Sequence, residues 1–183
     1  MTEALLLIDI QNDYFPGGTM ECTGMTQASG VAAALLERFR KENKTVIFIR
    51  HISTRAGAGF LHPDTPGSMI NESVAPRHGE PVVVKHFPNS FLQTDLAKKL
   101  NESGVTDLVI CGAMSHMCID ATTRAARDAG FSCTVIENAC ATRDLVFRGE
   151  IIAAATVHSA FMAALNGVYA SVIPLGEYLS KAG

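Results

Sequence analysis

The chain has 183 residues, of which 48% are hydrophobic and only 18% are charged, and its formal net charge is −3. It has no basic cluster and no apolar run near the ~20 residues of a membrane-spanning helix, which argues against nucleic acid or a membrane as a partner. Five cysteines at irregular spacings, without a CxxC pair, favour free thiols and therefore a cytoplasmic location. The length suits a single domain over residues 1–183.

Apolar runs that suit buried strands alternate along the chain with amphipathic segments that suit helices. The predicted strands cover residues 4–10, 45–49, 81–85, 107–111, 133–136 and 169–173. The predicted helices cover residues 26–42, 91–100, 118–128 and 145–165. Residues 51–80 show no periodicity and are predicted to form a long loop, which in a compact domain is usually functional or disordered.

This alternation predicts an α/β fold in which a mostly parallel sheet has helices on both faces. In such sheets ligands bind beyond the carboxyl ends of the strands. Asp9 ends the first predicted strand, Lys85 ends the third, and Cys118 follows the fourth. We therefore expect these three reactive side chains to meet at one edge of the sheet.

Each of the three residues has an ordinary explanation when it is considered alone. Asp9 could be a turn residue, Lys85 could be solvated at a strand end, and Cys118 could be a small core residue. Their common placement favours chemistry instead. A lysine and a helix N-terminus both lower the pKa of a nearby thiol, and a carboxylate can accept the thiol proton.

Four blocks of sequence together resemble the isochorismatase-like cysteine hydrolases. These blocks are LLIDIQNDY (6–14), VKHFPNSF (84–91), CGAMSHMCIDATTRAARDAGF (111–131) and VIENACATRD (135–144). The resemblance covers nearly the whole chain and implies a three-layer fold, in which a six-stranded sheet with Rossmann-like strand order lies between helices. It also implies an Asp9–Lys85–Cys118 triad.

The resemblance further implies a cis peptide bond between Ala113 and Met114. The backbone N–H groups of Met114 and Cys118 would then form an oxyanion hole. The implied reaction is hydrolysis of the C–N bond of a small amide: Asp9 takes the thiol proton, Cys118 forms a thioester, and water releases the acid. Lys85 would hold Asp9 ionised.

Gln11, Tyr14 and His116 are the predicted substrate-binding residues, and we expect a small, mostly neutral carboxamide. The resemblance also favours a homo-oligomer. Asn89 departs from the Ser-Ala-Phe that often follows the lysine in this family, whereas Phe91 matches it.

The sequence predicts neither a metal nor a cofactor. Family members with a metal site carry Asp-x-His after the second strand, and here Ile49 replaces that carboxylate, although His51 matches the histidine. The pair His116 and Cys118 lacks a further ligand at a compatible spacing. IDIQNDYFPGG is not a dinucleotide-binding GxGxxG.

Two alternatives to amide hydrolysis remain open from the sequence. One is cleavage of a vinyl ether, the isochorismatase reaction itself, whose enzymes lack the nucleophilic cysteine, so Cys118 disfavours it. The other is a non-catalytic α/β protein, either a binding module or a family member that has kept the fold and lost its activity. Against the latter, all three triad positions are occupied.

Overall fold

The computed structural model describes residues 2–181, which fold into two sheets and five α-helices. The strands are β1 Glu3–Ile8, β2 Thr45–His51, β3 Val82–Lys85, β4 Asp107–Ala113, β5 Ser132–Ala141, β6 Leu145–Phe147, β7 Glu150–Ile152 and β8 Ser171–Ile173. The helices are α1 Met25–Lys41, α2 Leu96–Glu102, α3 Asp120–Asp128, α4 Ala154–Leu165 and α5 Leu175–Lys181.

Six of the strands form one parallel sheet in the order β3-β2-β1-β4-β5-β8. The α/β fold with a six-stranded parallel sheet is therefore confirmed. Since β1 and β4 are central and all strands run the same way, the carboxyl ends of β1, β3 and β4 lie along one edge. The chain between them supplies the side chains described below.

The central strand β1 is apolar on both faces because both faces are covered by helices. Leu5 and Leu7 pack with α1 and α5 in one core, whereas Ala4, Leu6 and Ile8 pack with α2, α3 and α4 in the other. This alternation is the period-2 pattern of a strand, and it explains why polar residues begin only at Asp9, where the strand ends.

Two predicted helices are wrong in part. The helix predicted over residues 91–100 begins only at Leu96, because Phe91 lies in a turn, where its ring stacks on Phe131 at 6.0 Å between centroids. Phe91 is apolar and packs against the core from a turn, so in the sequence it looked like the first apolar residue of the helix.

The region 145–165 is not one helix: β6 and β7 form an antiparallel hairpin before α4. Arg148 and Gly149 at its turn both have positive φ, 53° and 85°, which is the geometry that tight hairpins favour. The sequence analysis did not predict α5, whose Tyr178 stacks on Phe39 of α1 with ring centroids 6.5 Å apart.

No helix among residues 2–181 combines the length and the apolar character that a bilayer crossing requires.

Candidate active site

Asp9 follows the last residue of β1 and adopts a left-handed backbone conformation with φ 51°. Its N–H donates to the carbonyl of Ile49 on β2 at 3.0 Å, so it stays attached to the sheet while the chain turns. Asp is one of the few residues other than glycine that adopts this conformation readily. The carboxylate is fully buried.

Lys85 ends β3 and pairs with Asp9, with 2.7 Å between Nζ and Oδ2 and no exposed side-chain surface on either residue. Its ammonium also donates to the carbonyls of Phe87 at 3.1 Å and Pro88 at 3.3 Å. Burial lowers the pKa of Lys85, but the charge of Asp9 and the hydrogen bonds to Asp9 and Cys118 outweigh it and raise that pKa overall. Lys85 is therefore a fixed cation.

Cys118 lies in a π-type turn, Ser115–Ile119, which leads from β4 into α3 and which we call the nucleophile turn. Its sulfur, a carboxylate oxygen of Asp9 and a ring nitrogen of His51 lie within 4.8 Å of one another. The structure thus brings together all three predicted triad residues. Only 4% of Cys118 is exposed.

The expectation of a low thiol pKa at Cys118 is wrong. Burial and then the charge of Asp9 raise this pKa, and the opposing influence of Lys85 does not compensate. This direction favours the protonated thiol, next to the ion pair of Asp9 and Lys85. The Asp9 carboxylate lies close enough to accept the proton of this thiol.

The chain before Cys118 approaches β1 unusually closely. Gly112 has φ 126°, and a Cβ at this position would lie 1.9 Å from the carbonyl oxygen of Ile8, so no larger residue fits. The peptide bond between Ala113 and Met114 is cis. Among residues 2–181, the N–H of Met114 has no backbone or side-chain acceptor, which leaves it available for the predicted oxyanion hole.

Tyr14 and Gln11 lie on the loop after β1 and have different surroundings. Tyr14 is 1% exposed, and its pKa is raised well above the usual value, first by burial and then by the neighbouring acidic groups of Cys118 and Asp9. The Gln11 amide donates to the carbonyls of His51 at 2.9 Å and Ser68 at 2.7 Å. Because both N–H groups of Gln11 are engaged, it anchors the 51–80 loop and has no donor left for substrate.

His116 is turned towards the end of β5. Its Nδ1 lies 2.6 Å from the hydroxyl of Thr142, and its ring meets the edge of Phe161 on α4 at 6.0 Å. Burial, followed by Arg143, lowers its pKa. His116 therefore contacts the framework behind the nucleophile turn, and substrate contact stays a prediction.

His51 is a site residue whose role sequence reasoning left undefined. Its Nδ1 lies 3.3 Å from Nζ of Lys85, so an unprotonated Nδ1 accepts from the ammonium. Burial lowers the pKa of His51, which favours this neutral form. Asp9, His51 and Cys118 could in principle approach a metal ion, but the Lys85 ammonium beside two of these ligands opposes a further cation.

Thr122 of α3 connects its helix to the chain that follows β3. Its Oγ1 accepts from the N–H of Ser90 at 3.1 Å and lies 3.3 Å from the carbonyl of Pro88, which holds Lys85. Nearby, the guanidinium of Arg124 pairs with Asp120 at 2.9 Å.

Comparison with known proteins defines the family to which this arrangement belongs. The isochorismatase domain model matches residues 3–173, and the chain is therefore a hydrolase of the isochorismatase family. The isochorismatase family protein YddQ of Bacillus subtilis is 55% identical over 172 residues, which cover 94% of this chain and 96% of YddQ.

A crystal structure of an isochorismatase-type hydrolase from Oleispira antarctica superposes with a TM-score of 0.94 at 48% identity, covering 98% of this chain and 96% of that chain. Maleamate amidohydrolase of Pseudomonas putida is 29% identical over 154 residues, which cover 76% of this chain and 72% of that enzyme.

Proposed function

We propose that this protein is a cysteine amidohydrolase that cleaves the C–N bond of small primary amides. The observation that carries the proposal is the buried meeting of Asp9, Lys85 and Cys118 at the carboxyl edge of the sheet. A nucleophile, a proton acceptor and a fixed cation are the groups that acyl transfer requires. The relationship to an amidohydrolase supports the same chemistry.

In the first half of the reaction, Sγ of Cys118 bonds to the amide carbon while Asp9 takes the thiol proton. The carbonyl oxygen becomes an oxyanion, which the N–H groups of Met114 and Cys118 stabilise. Asp9 then gives its proton to the nitrogen, the C–N bond breaks, and ammonia leaves a thioester on Cys118. Deletion of one oxyanion donor typically costs about 10²–10³ in rate.

In the second half, Asp9 takes a proton from water, and the resulting hydroxide attacks the thioester carbon. The C–S bond breaks, the carboxylic acid departs, and the thiol of Cys118 regains a proton from Asp9. Lys85 keeps Asp9 ionised at the start of each half, because its own positive charge is retained in the buried pair. The proposed reaction steps use no metal or cofactor.

The surroundings favour a small and mostly neutral amide. Tyr14 lies near Cys118 and Asp9, and the ring of Phe60 packs against it with 6.2 Å between ring centroids. Lys85 is the cation within the triad, and Asp9 already neutralises it. With 4% of Cys118 exposed, access suits a small molecule better than a polymer.

We also propose a cytoplasmic homo-oligomer. The five free cysteines support the reducing compartment. The hairpin β6–β7 supports association, since Val146, Phe147 and Ile151 are 71%, 64% and 73% exposed. Light scattering of the purified protein, compared with a Phe147→Asp variant, tests this point: a monomer in both cases contradicts it.

The function is tested by ammonia release from a panel of primary amides that includes acetamide, succinamate and maleamate. We expect release by the wild-type protein and none by Cys118→Ala. Cys133→Ala is the matched control, because this buried thiol lies away from the triad and should leave the rate unchanged. Release that survives Cys118→Ala contradicts the proposal.

A further inference from the structure

A second cluster of reactive side chains lies directly behind the nucleophile turn, and the mechanism above does not use it. Oγ of Ser115 lies 2.9 Å from Nδ1 of His158 on α4, and Nε2 of His158 lies 3.6 Å from a carboxylate oxygen of Glu137 on β5. A hydroxyl, an imidazole and a carboxylate in this order resemble a serine-hydrolase triad.

Ser115 is nevertheless no nucleophile. It is fully buried, and its hydroxyl also lies 3.3 Å from the carbonyl oxygen of Ala141, which can only accept. A substrate carbon has no route to such an oxygen. The hydroxyl is therefore a link between α4, the end of β5 and the nucleophile turn.

The position of this link connects it to catalysis. Ser115 immediately follows Met114 and precedes Cys118 by three residues, and these are the two residues whose N–H groups form the proposed oxyanion hole. A serine has one hydroxyl proton. If Ser115 donates to Ala141, then Nδ1 of His158 carries a proton and donates to Ser115; if Ser115 instead donates to Nδ1, the proton of the imidazole lies on Nε2 and faces Glu137.

We propose that His158 is a positioning residue for the oxyanion hole: through Ser115 it holds the segment from Met114 to Cys118 in the conformation that the tetrahedral intermediate requires. The inference rests on the proposed amide hydrolysis. His158 touches neither Cys118 nor Asp9 in the contacts described, so its effect reaches the reacting atoms only through Ser115.

Two substitutions of nearly equal shape separate this role from simple packing. In His158→Asn the side-chain amide can replace Nδ1 opposite Ser115, whereas His158→Leu offers no polar group. We expect His158→Leu to lower kcat by about 10- to 100-fold, less than loss of a whole oxyanion donor, with KM within about threefold. His158→Asn should recover most of kcat.

Alkylation of Cys118 by iodoacetamide distinguishes a loss of the oxyanion hole from a general packing defect around the thiol. In alkylation the sulfur bonds to a methylene carbon, iodide leaves, Asp9 takes the thiol proton, and no oxyanion forms. His158→Leu should therefore keep its alkylation rate within about twofold while amide hydrolysis falls. Ser115→Ala should match His158→Leu, and the double variant should lose no more than either single one.

The deciding experiment measures these variants on the best amide of the panel, together with hydrogen exchange of a peptide covering residues 112–119. We expect faster exchange in His158→Leu and wild-type exchange in His158→Asn. Four results would each overturn the inference. They are a wild-type kcat in His158→Leu, an equal loss of kcat in His158→Asn and His158→Leu, a parallel fall in the alkylation rate of His158→Leu, and an unchanged hydrogen-exchange rate in His158→Leu.

The proposed function fails by a different result, since it is lost only if Cys118→Ala still releases ammonia. Hydrogen exchange needs no substrate, so it tests the positioning of the turn even where every amide of the panel is inert.

Discussion

Two ion pairs of this chain have the same length and opposite surroundings. Lys85 and Asp9 lie 2.7 Å apart at the carboxyl edge of the sheet, with no exposed side-chain surface. Arg40 and Glu80 also lie 2.7 Å apart, but they lie before β3 at the other edge, with 11% and 18% of their side chains exposed. The first pair adjoins the thiol of Cys118, whereas the second adjoins solvent.

The difference shows what each pair is for. A buried pair loses so much hydration that it adds little stability over an apolar substitute, so its retention needs another reason. Asp9 has that reason under the proposed mechanism, in which its carboxylate takes the proton of the Cys118 thiol. Arg40 instead holds Glu80 with two nitrogens and also donates to the carbonyl of Ala75, which fastens the chain before β3 to α1.

The largest effect on stability should come from breaking the buried pair on one side only. Lys85→Met leaves the Asp9 carboxylate buried without a partner. This change should lower the free energy of unfolding by about 3–5 kcal/mol. The double variant Asp9→Asn/Lys85→Met removes both charges and should be clearly more stable than Lys85→Met. Urea unfolding at pH 7.5 measures both. A double variant no more stable than Lys85→Met contradicts this account.

An intermediate effect should come from the pair at the other edge. Arg40→Met should lower the free energy of unfolding by about 1 kcal/mol, because water screens this pair and hydrates the charge left on Glu80. Amide hydrolysis should stay at the wild-type rate. The cost should shrink in 1 M salt, and a cost as large as that of Lys85→Met would remove the distinction between the two edges.

The smallest effect should be a change in pH dependence at His51. Burial lowers the pKa of His51 in the folded protein below the usual histidine value near 6.5. As the pH falls below about 6.5, the unfolded chain therefore binds more protons than the folded protein does. The stability from neutral His51 is thus complete above that pH and is lost as the pH falls through the folded pKa. His51→Gln should flatten the fall in stability between pH 7.5 and 5.5. The exposed His78, changed to Gln, serves as control, and an equal slope in both variants argues against the buried neutral imidazole.

Much of the fold could be predicted because the buried strands are nearly continuous apolar runs. In β1 every side chain from position 4 to position 8 is apolar, as a strand covered on both faces requires. Leu5 and Leu7 enter one core, and Ala4, Leu6 and Ile8 enter the other. The hairpin after β5 was missed because its outer residues, Val146 and Ile151, are apolar although they face outwards. A reading based on hydrophobicity assigns such residues to a helix face.

The meeting of Asp9, Lys85 and Cys118 could be predicted because strand ends in a parallel sheet meet at one edge, whatever the separation along the chain. The raised pKa of Cys118 could not be predicted, since it depends on how deeply the thiol is buried and how close Asp9 lies. The hydrogen bond between Ser115 and His158 joins residues that lie 43 positions apart in the sequence, so no local motif predicts it.

The central claim is that the reaction passes through a thioester on Cys118, and intact-protein mass spectrometry of quenched reactions tests it most directly. With an amide that the wild-type protein hydrolyses, we expect an added acyl mass that maps to Cys118 and disappears as substrate is used up. Cys118→Ala should show neither the added mass nor ammonia release. Ammonia release at the wild-type rate from Cys118→Ala, without any acylated protein, would contradict the account.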